Sequence, residues 1–379
     1  MKKKITLICI LFLFAYIAFF LSIPVIMLCN KRLGSFLARE ILYNCFAERA
    51  LNTNWGILVG RTIENPVEKI FLFIADNMMM HPGSKPRGSG RRYFETNSLI
   101  DIVFGDGWCD QQAYAAMNIA RSVGIKGQFY NVKAHTFCYL FEPISDNTYG
   151  CDPFFGVFWF IKQGVPSDDE ILHSIREASA YPEGYIPRLR KYNEEVYQEY
   201  ARLFIDKVPQ TWGDDFWSDS LDLKRRITIF ITKIWLKAFR SYAYSIALNT
   251  HLATHDYNYL SEVIKKTYDS GNPDIELSRL FYNARVYHLC GDLDKALDFY
   301  NRAINYDKHG DLVMPLRAFK GKCLRDIGKY SEAKRILSQI TNESNWYDHA
   351  IYYLYTVDHL GQYSEMDRRD LQPMAMLSY

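Results

Sequence analysis

The chain has 379 residues, 49% of them hydrophobic, with 45 basic against 43 acidic side chains and a formal charge of +2. That length and apolar share suit two or more globular parts and exclude bulk disorder. The near-neutral balance, with no basic patch interleaved with aromatics, gives no case for nucleic-acid binding.

Lys2, Lys3 and Lys4 precede an uncharged run from Ile5 to Cys29, and Lys31 and Arg32 follow it. About 25 residues at 1.5 Å rise per residue is enough to span a bilayer. The run exceeds a signal-peptide core and shows no clear small-residue cleavage site, so it reads as an uncleaved single-pass anchor. The lysine triplet and amino terminus favour an inside N-terminus, with the soluble part extracytoplasmic. Gly34 to Leu51 has apolar residues at helical spacing, among them Phe36, Leu37, Ile41, Leu42 and Phe46, for the membrane surface or for the core. Asn65-Pro66 predicts a helix start, with asparagine as cap and proline at the first helical position. His81 to Arg92, rich in Pro, Gly, Ser, Lys and Arg, reads as a loop.

The run from Gly105 to Gly156 organises the rest. Cys109 opens a predicted helix over Asp110 to Val123, with Ala113, Ala116, Met117, Ala120 and Val123 on one face. Gly124 ends it. A cysteine at a helix N-terminus lies beside free N–H groups and the positive end of the helix dipole, both of which favour thiolate. Two strand-like runs follow, Gly127 to Val132 and Ala134 to Glu142, and Tyr149 to Asp152 can return as a third. His135 shares a face with Phe137, Tyr139 and Phe141. Asp152 is a candidate to accept the His135 ring N–H, leaving the other ring nitrogen for Cys109. Directly opposite placement of His135 and Asp152 would centre the hairpin near Pro143-Ile144, earlier than the turn residues Ser145 to Asn147; a bulge or a diagonal contact would absorb the offset. The backbone N–H of Cys109 is one oxyanion donor; Gln111, Gln112, Asn97 and the Trp108 indole compete for the second.

In these residues the chain resembles the transglutaminase-like superfamily of the papain-like class: Trp108-Cys109 at a helix start, Gly124-Ile125 after it, His135 opening a strand, Asp152-Pro153 on the next, then Gly156-Val157. The resemblance covers about a quarter of the chain. It implies a Cys-His-Asp triad acting on an amide or ester carbonyl of a protein or peptide substrate, and a fold that requires no cofactor; no metal ligand is singled out, and no calcium loop of the helix-loop-helix type is visible. The family holds peptidases, amidases and cross-linking acyltransferases, and also members that have lost activity.

The eight cysteines form no CxxC pair and no zinc spacing; Cys138 and Cys151 can share the face opposite the triad, as packed thiols or as a disulfide. After Gly156 the pattern turns helical and charged, with Ser167 to Glu170 as a start signal. The basic apolar stretch Ile227 to Phe239 suits a membrane-surface helix or a packed one. In the last third G-D-L-D-K-A starts at Gly291, G-K-Y-S-E-A 37 residues later at Gly328, and G-Q-Y-S-E-M 33 later at Gly361, with a weaker copy at His255. Paired amphipathic runs around these glycines, with small Ala296 and Ala333, resemble the tetratricopeptide repeat, whose concave face binds a protein partner.

The expected architecture is therefore a membrane anchor over 1–30, an α+β transglutaminase-like core of one helix packed on an antiparallel sheet over 31–165, a helical connection over 166–240, and all-α repeats over 241–379. The expected function is that of a membrane-anchored thiol enzyme. The alternative is an inactive scaffold whose repeats recruit partners to a membrane assembly.

Overall fold

The structure, a computed structural model, describes residues 31–59, 62–78, 91–132, 135–142, 147–161 save 155, 246–250, 257–268, 274–340 save 311, and 350–358, together with 173, 230, 234, 235 and 360. The described chain is α+β: mostly helices, with one four-stranded antiparallel sheet against which the Cys109–Ser122 helix packs. Among the described residues no helix is long and apolar enough to cross a membrane; the run Ile5 to Cys29 lies outside them, as do the start signal at Ser167 and most of Ile227 to Phe239.

Three helices come first: α1 (Lys31–Asn52), the short α2 (Gly56–Val59) and α3 (Pro66–Asn77). The apolar stripe of α1 goes to the protein core, with Leu37, Ile41, Leu42 and Phe46 buried. Helix α3 starts where the Asn-Pro signal puts it. The Asn65 side chain accepts from the N–H groups of Val67 and Glu68, and Pro66 takes the first turn, where a missing N–H costs nothing. Next comes α4 (Arg91–Phe104), which the sequence reading does not mark and which already includes the last two residues of the expected loop.

Helix α5 (Cys109–Ser122) carries Cys109 at its first position and ends before Gly124, at φ +89°. The small apolar residues face the sheet as expected, but the burial is wider than one stripe, because Asp110 alone is not buried. A helix enclosed on all sides must satisfy its polar side chains internally. Asn118 donates to Ser98 Oγ at 3.1 Å, Arg121 pairs with Glu40 at 2.8 Å, and Ser122 donates to the Ile119 carbonyl at 2.7 Å.

Strands β1 (Lys126–Val132), β2 (His135–Phe141), β3 (Thr148–Asp152) and β4 (Val157–Ile161) pair in sequence order. The fourth strand is a correction: the sequence reading turns helical after Gly156, yet Val-Phe-Trp-Phe-Ile suits a pleated surface, and β4 pairs with β3 from Asp152↔Val157 to Thr148↔Ile161. Gly150 makes this possible, since a Cβ there would overlap the Trp159 indole on the neighbouring strand. Cys138 and Cys151 stand directly opposite each other as buried free thiols.

The last third is built of antiparallel helices: α6 (Tyr257–Tyr268), α7 (Ile275–Cys290), α8 (Leu293–Tyr306), α9 (Val313–Ile327) and α10 (Tyr330–Leu337). Gly291 and Gly328 end α7 and α9 in the left-handed conformation, at φ 82° and 87°, and the following turns close on the Tyr287 and Leu324 carbonyls. Ala296 and Ala333 are fully buried between paired helices. The copies at His255 and Gly361 begin on residues outside those described.

One hydrophobic core runs through both halves. Phe104, at the end of α4, packs on Phe281 and Tyr282 of α7 at 5.9 and 6.1 Å between ring centroids. The buried Arg285 donates to the Val103 carbonyl at 2.7 Å, a cation placed at the negative end of α4, and its guanidinium lies 3.8 Å from the centre of the Phe319 ring. A Cys45–Cys290 disulfide ties α1 to α7. That pairing is absent from the sequence reading, because no local spacing links cysteines 245 residues apart.

Candidate active site

The end of α4, the turn at Gly105 and the extended residues Gly107 and Trp108 deliver the chain to Cys109. The turn is fixed by the Asp106 N–H donating to the Asp101 carbonyl at 3.3 Å and by Gly105 at φ +66°, a conformation costly for any residue with a Cβ. A side chain there would also meet Phe319 and the Asn77 carbonyl at 2.8 and 2.9 Å. The approach to the nucleophile candidate is thus seated on the C-terminal helices as well as on its own module.

The three candidates meet. His135 opens β2 and Asp152 closes β3, and the His135 Nε2 is hydrogen-bonded to the Asp152 carboxylate. The Cys109 thiol lies close enough to the same imidazole to favour its charged form, and the ring nitrogen not bonded to Asp152 is Nδ1. The register resolves the hairpin offset. Cys138 pairs with Cys151, so Asp152 falls opposite Phe137, and His135 reaches it along the diagonal of the same sheet face. No bulge is needed. Phe154, in the turn after Asp152, packs against the imidazole at 5.7 Å between ring centroids and limits its rotation. The sequence reading passes over this residue, although its place directly after Asp152-Pro153 was the available signal.

The electrostatics follow from these contacts. Burial works against the His135 imidazolium, but the negative charge and hydrogen bond of Asp152, and then the hydrogen bond and charge of Cys109, outweigh it and push the ring up to about 10. Asp152 is fully buried, His135 is 6% exposed and Cys109 9%, whereas the other described free cysteines, Cys138, Cys151 and Cys323, are at 0%. Burial pushes the Asp110 carboxyl up, opposed by hydrogen bonds from backbone N–H groups, its own and that of Gln111.

The four candidates for the second oxyanion donor separate. The Gln111 side chain accepts from the Trp108 N–H at 2.8 Å, closing the helix start. The Gln112 amide nitrogen is committed to the Gly107 carbonyl at 2.7 Å. The Asn97 side chain lies outside the described residues. The Trp108 indole N–H is buried with no hydrogen-bond partner among the described residues. Beside it, the backbone N–H of Cys109 heads a helix whose first N–H groups have no intrahelical acceptor. The Cys109 N–H, on the same residue as the thiol, can take up charge that develops on a carbonyl oxygen. Among the described residues no group of His, Cys, Asp or Glu is arranged to hold a metal.

No protein-family model, curated protein or solved structure matches the chain, so what can be said of its chemistry rests on this site.

Proposed function

We propose that the chain is a transglutaminase-like thiol enzyme acting on an amide or ester carbonyl of a protein or peptide. The observation that carries the reading is the buried, continuous line from the Cys109 thiol through the His135 ring to the Asp152 carboxylate. Cys109 is the nucleophile. Its sulfur forms the bond to the carbonyl carbon, and the oxyanion faces the Cys109 N–H. Asp152 orients the His135 ring, and the charged ring stabilises negative charge on the sulfur. The same ring then gives its proton to the leaving group and takes one from the water or amine that releases the acyl group.

The membrane tether over residues 5–29 and the protein partner of the repeat helices are parts of the same proposal. The Cys45–Cys290 disulfide supports an extracytoplasmic soluble part, because such bonds persist in oxidising compartments.

Alkylation tests the reading against the inactive scaffold. At pH 7 iodoacetamide should modify Cys109 ahead of every other described thiol. His135→Ala should slow that reaction, because the imidazolium that favours negative charge on the sulfur is gone. An activated ester should leave an acyl group on Cys109 that mass spectrometry detects and hydroxylamine removes. Slow alkylation of all thiols alike, untouched by His135→Ala, would establish the scaffold instead.

A further inference from the structure

Away from Cys109, a cavity of about 260 Å³ opens between the end of α1, the end of α3 and the helices α7 and α9. Its inner wall is a network of charges. Arg325 grips Asp76 with two bonds of 3.0 and 2.7 Å, and Lys322 lies 2.9 Å from Asp76 and 3.2 Å from Asp326. His288 is hydrogen-bonded to Asp326 at 3.1 Å, and burial first of all pushes its ring down to about 3, so it is neutral. The charged groups lining the cavity are then three cations, Arg49, Lys322 and Arg325, against two carboxylates, Asp76 and Asp326.

Two lining groups have hydrogen-bonding capacity that the network does not use. Arg49 comes no closer to Asp326 than 3.7 Å, makes no side-chain hydrogen bond among the described residues, and keeps its side chain 26% exposed. Asn77 is 4% exposed; its amide nitrogen donates to the Phe73 carbonyl at 2.8 Å, while its Oδ1 is buried with no partner among the described residues. A cation with spare donors and a residue with an unused acceptor thus line the same cavity. The volume lies just below the ~300 Å³ at which ordinary small-molecule sites begin, so only a small occupant fits.

We propose that this cavity binds a small oxyanion, carboxylate or phosphate, that carries a hydroxyl or amino donor beside its charged group. Arg49 takes the oxyanion through its planar fork, the excess positive charge of the wall holds it, and Asn77 Oδ1 accepts from the neighbouring donor. The site is independent of the role given to Cys109.

Calorimetric titration of the full chain at fixed, low ionic strength tests this with four probes: glycolate, acetate, glycerol 3-phosphate and inorganic phosphate. At least one hydroxylated anion should bind more tightly than its bare counterpart, by about two- to tenfold for one added hydrogen bond. Arg49→Gln should weaken it about tenfold or more. Asn77→Leu should erase the preference for the hydroxylated probe and leave acetate and phosphate unchanged. Binding of none of the four, or affinity unaltered by Arg49→Gln, overturns the proposal. Should Asn77→Leu not fold, the partly exposed Arg49 still decides.

Discussion

Two buried histidines, each hydrogen-bonded to an aspartate, sit at opposite ends of the titration scale. His135 is pushed up to about 10 and His288 down to about 3. Burial disfavours the charged ring in both, so burial cannot be what separates them. The neighbours do. His135 faces Asp152 and Cys109, and both favour the imidazolium. His288 faces Tyr300 on one nitrogen and Asp326 on the other, but Asp326 is shared with Arg325, Lys322 and Arg49, and Lys322 and Arg285 oppose a further positive charge. An aspartate whose charge several cations already claim leaves its histidine neutral. The first arrangement suits proton transfer, the second a joint between helices.

The largest test of this contrast removes an aspartate from each region. Asp76→Asn leaves Arg325, which cannot shed its proton, facing a neutral amide in a buried site, and the loss should be about 3–5 kcal/mol. Asp152→Asn leaves His135, which can become neutral, so its loss near pH 8 should be clearly smaller. Urea unfolding of both variants measures the difference, and equal losses would break the comparison.

The pH dependence of stability sharpens it. The His135 value in the folded chain lies above its unfolded value of 6.5, so its contribution is complete below pH 6.5 and is lost as pH climbs from 6.5 to about 10. The His288 value lies below 6.5, so its contribution is complete above pH 6.5 and is lost as pH falls toward about 3. Each limb should slope by up to about 1.4 kcal/mol per pH unit. Asp152→Asn should flatten the alkaline limb, and His288→Gln the acid limb between the ordinary carboxylate range and 6.5. Unfolding midpoints across pH check both signs.

How far the sequence discloses each region differs for a physical reason. Cys109, His135 and Asp152 lie within 44 residues of one another, and a helix start, a strand start and a strand end place them, so local pattern suffices. The caps at Asn65, Gly291 and Gly328 are legible on the same ground. The diagonal register is not, because alternation fixes a face and leaves the partner along that face open. Asp76 and Arg325 are 249 residues apart, as Cys45 and Cys290 are 245 apart. Both contacts arise only when the C-terminal helices settle on α1 and α3, and no periodicity in either segment marks them. Arg121, Arg285 and Arg325 are buried, and no local pattern marks them as such.

The smallest expected effect concerns the turns that let those helices settle. Gly328 is at φ 87° with open space around its missing side chain. Gly328→Ala should therefore cost about 1–2 kcal/mol in backbone conformation alone, with no clash to add, readable as a lowered urea midpoint. A neutral result would show that the turn at α9 relaxes where the Asp76 network does not.

The Cys45–Cys290 bond also decides what a single cut in the backbone can do. Every residue of the candidate active site lies inside the loop that it closes. A protease nick anywhere within that loop leaves the two pieces covalently joined, migrating as one band without reductant and as two with it. The helices on which the approach to Cys109 rests stay tethered after such a nick, so a scissile link between the halves is no route to a freely diffusing fragment until the disulfide is reduced.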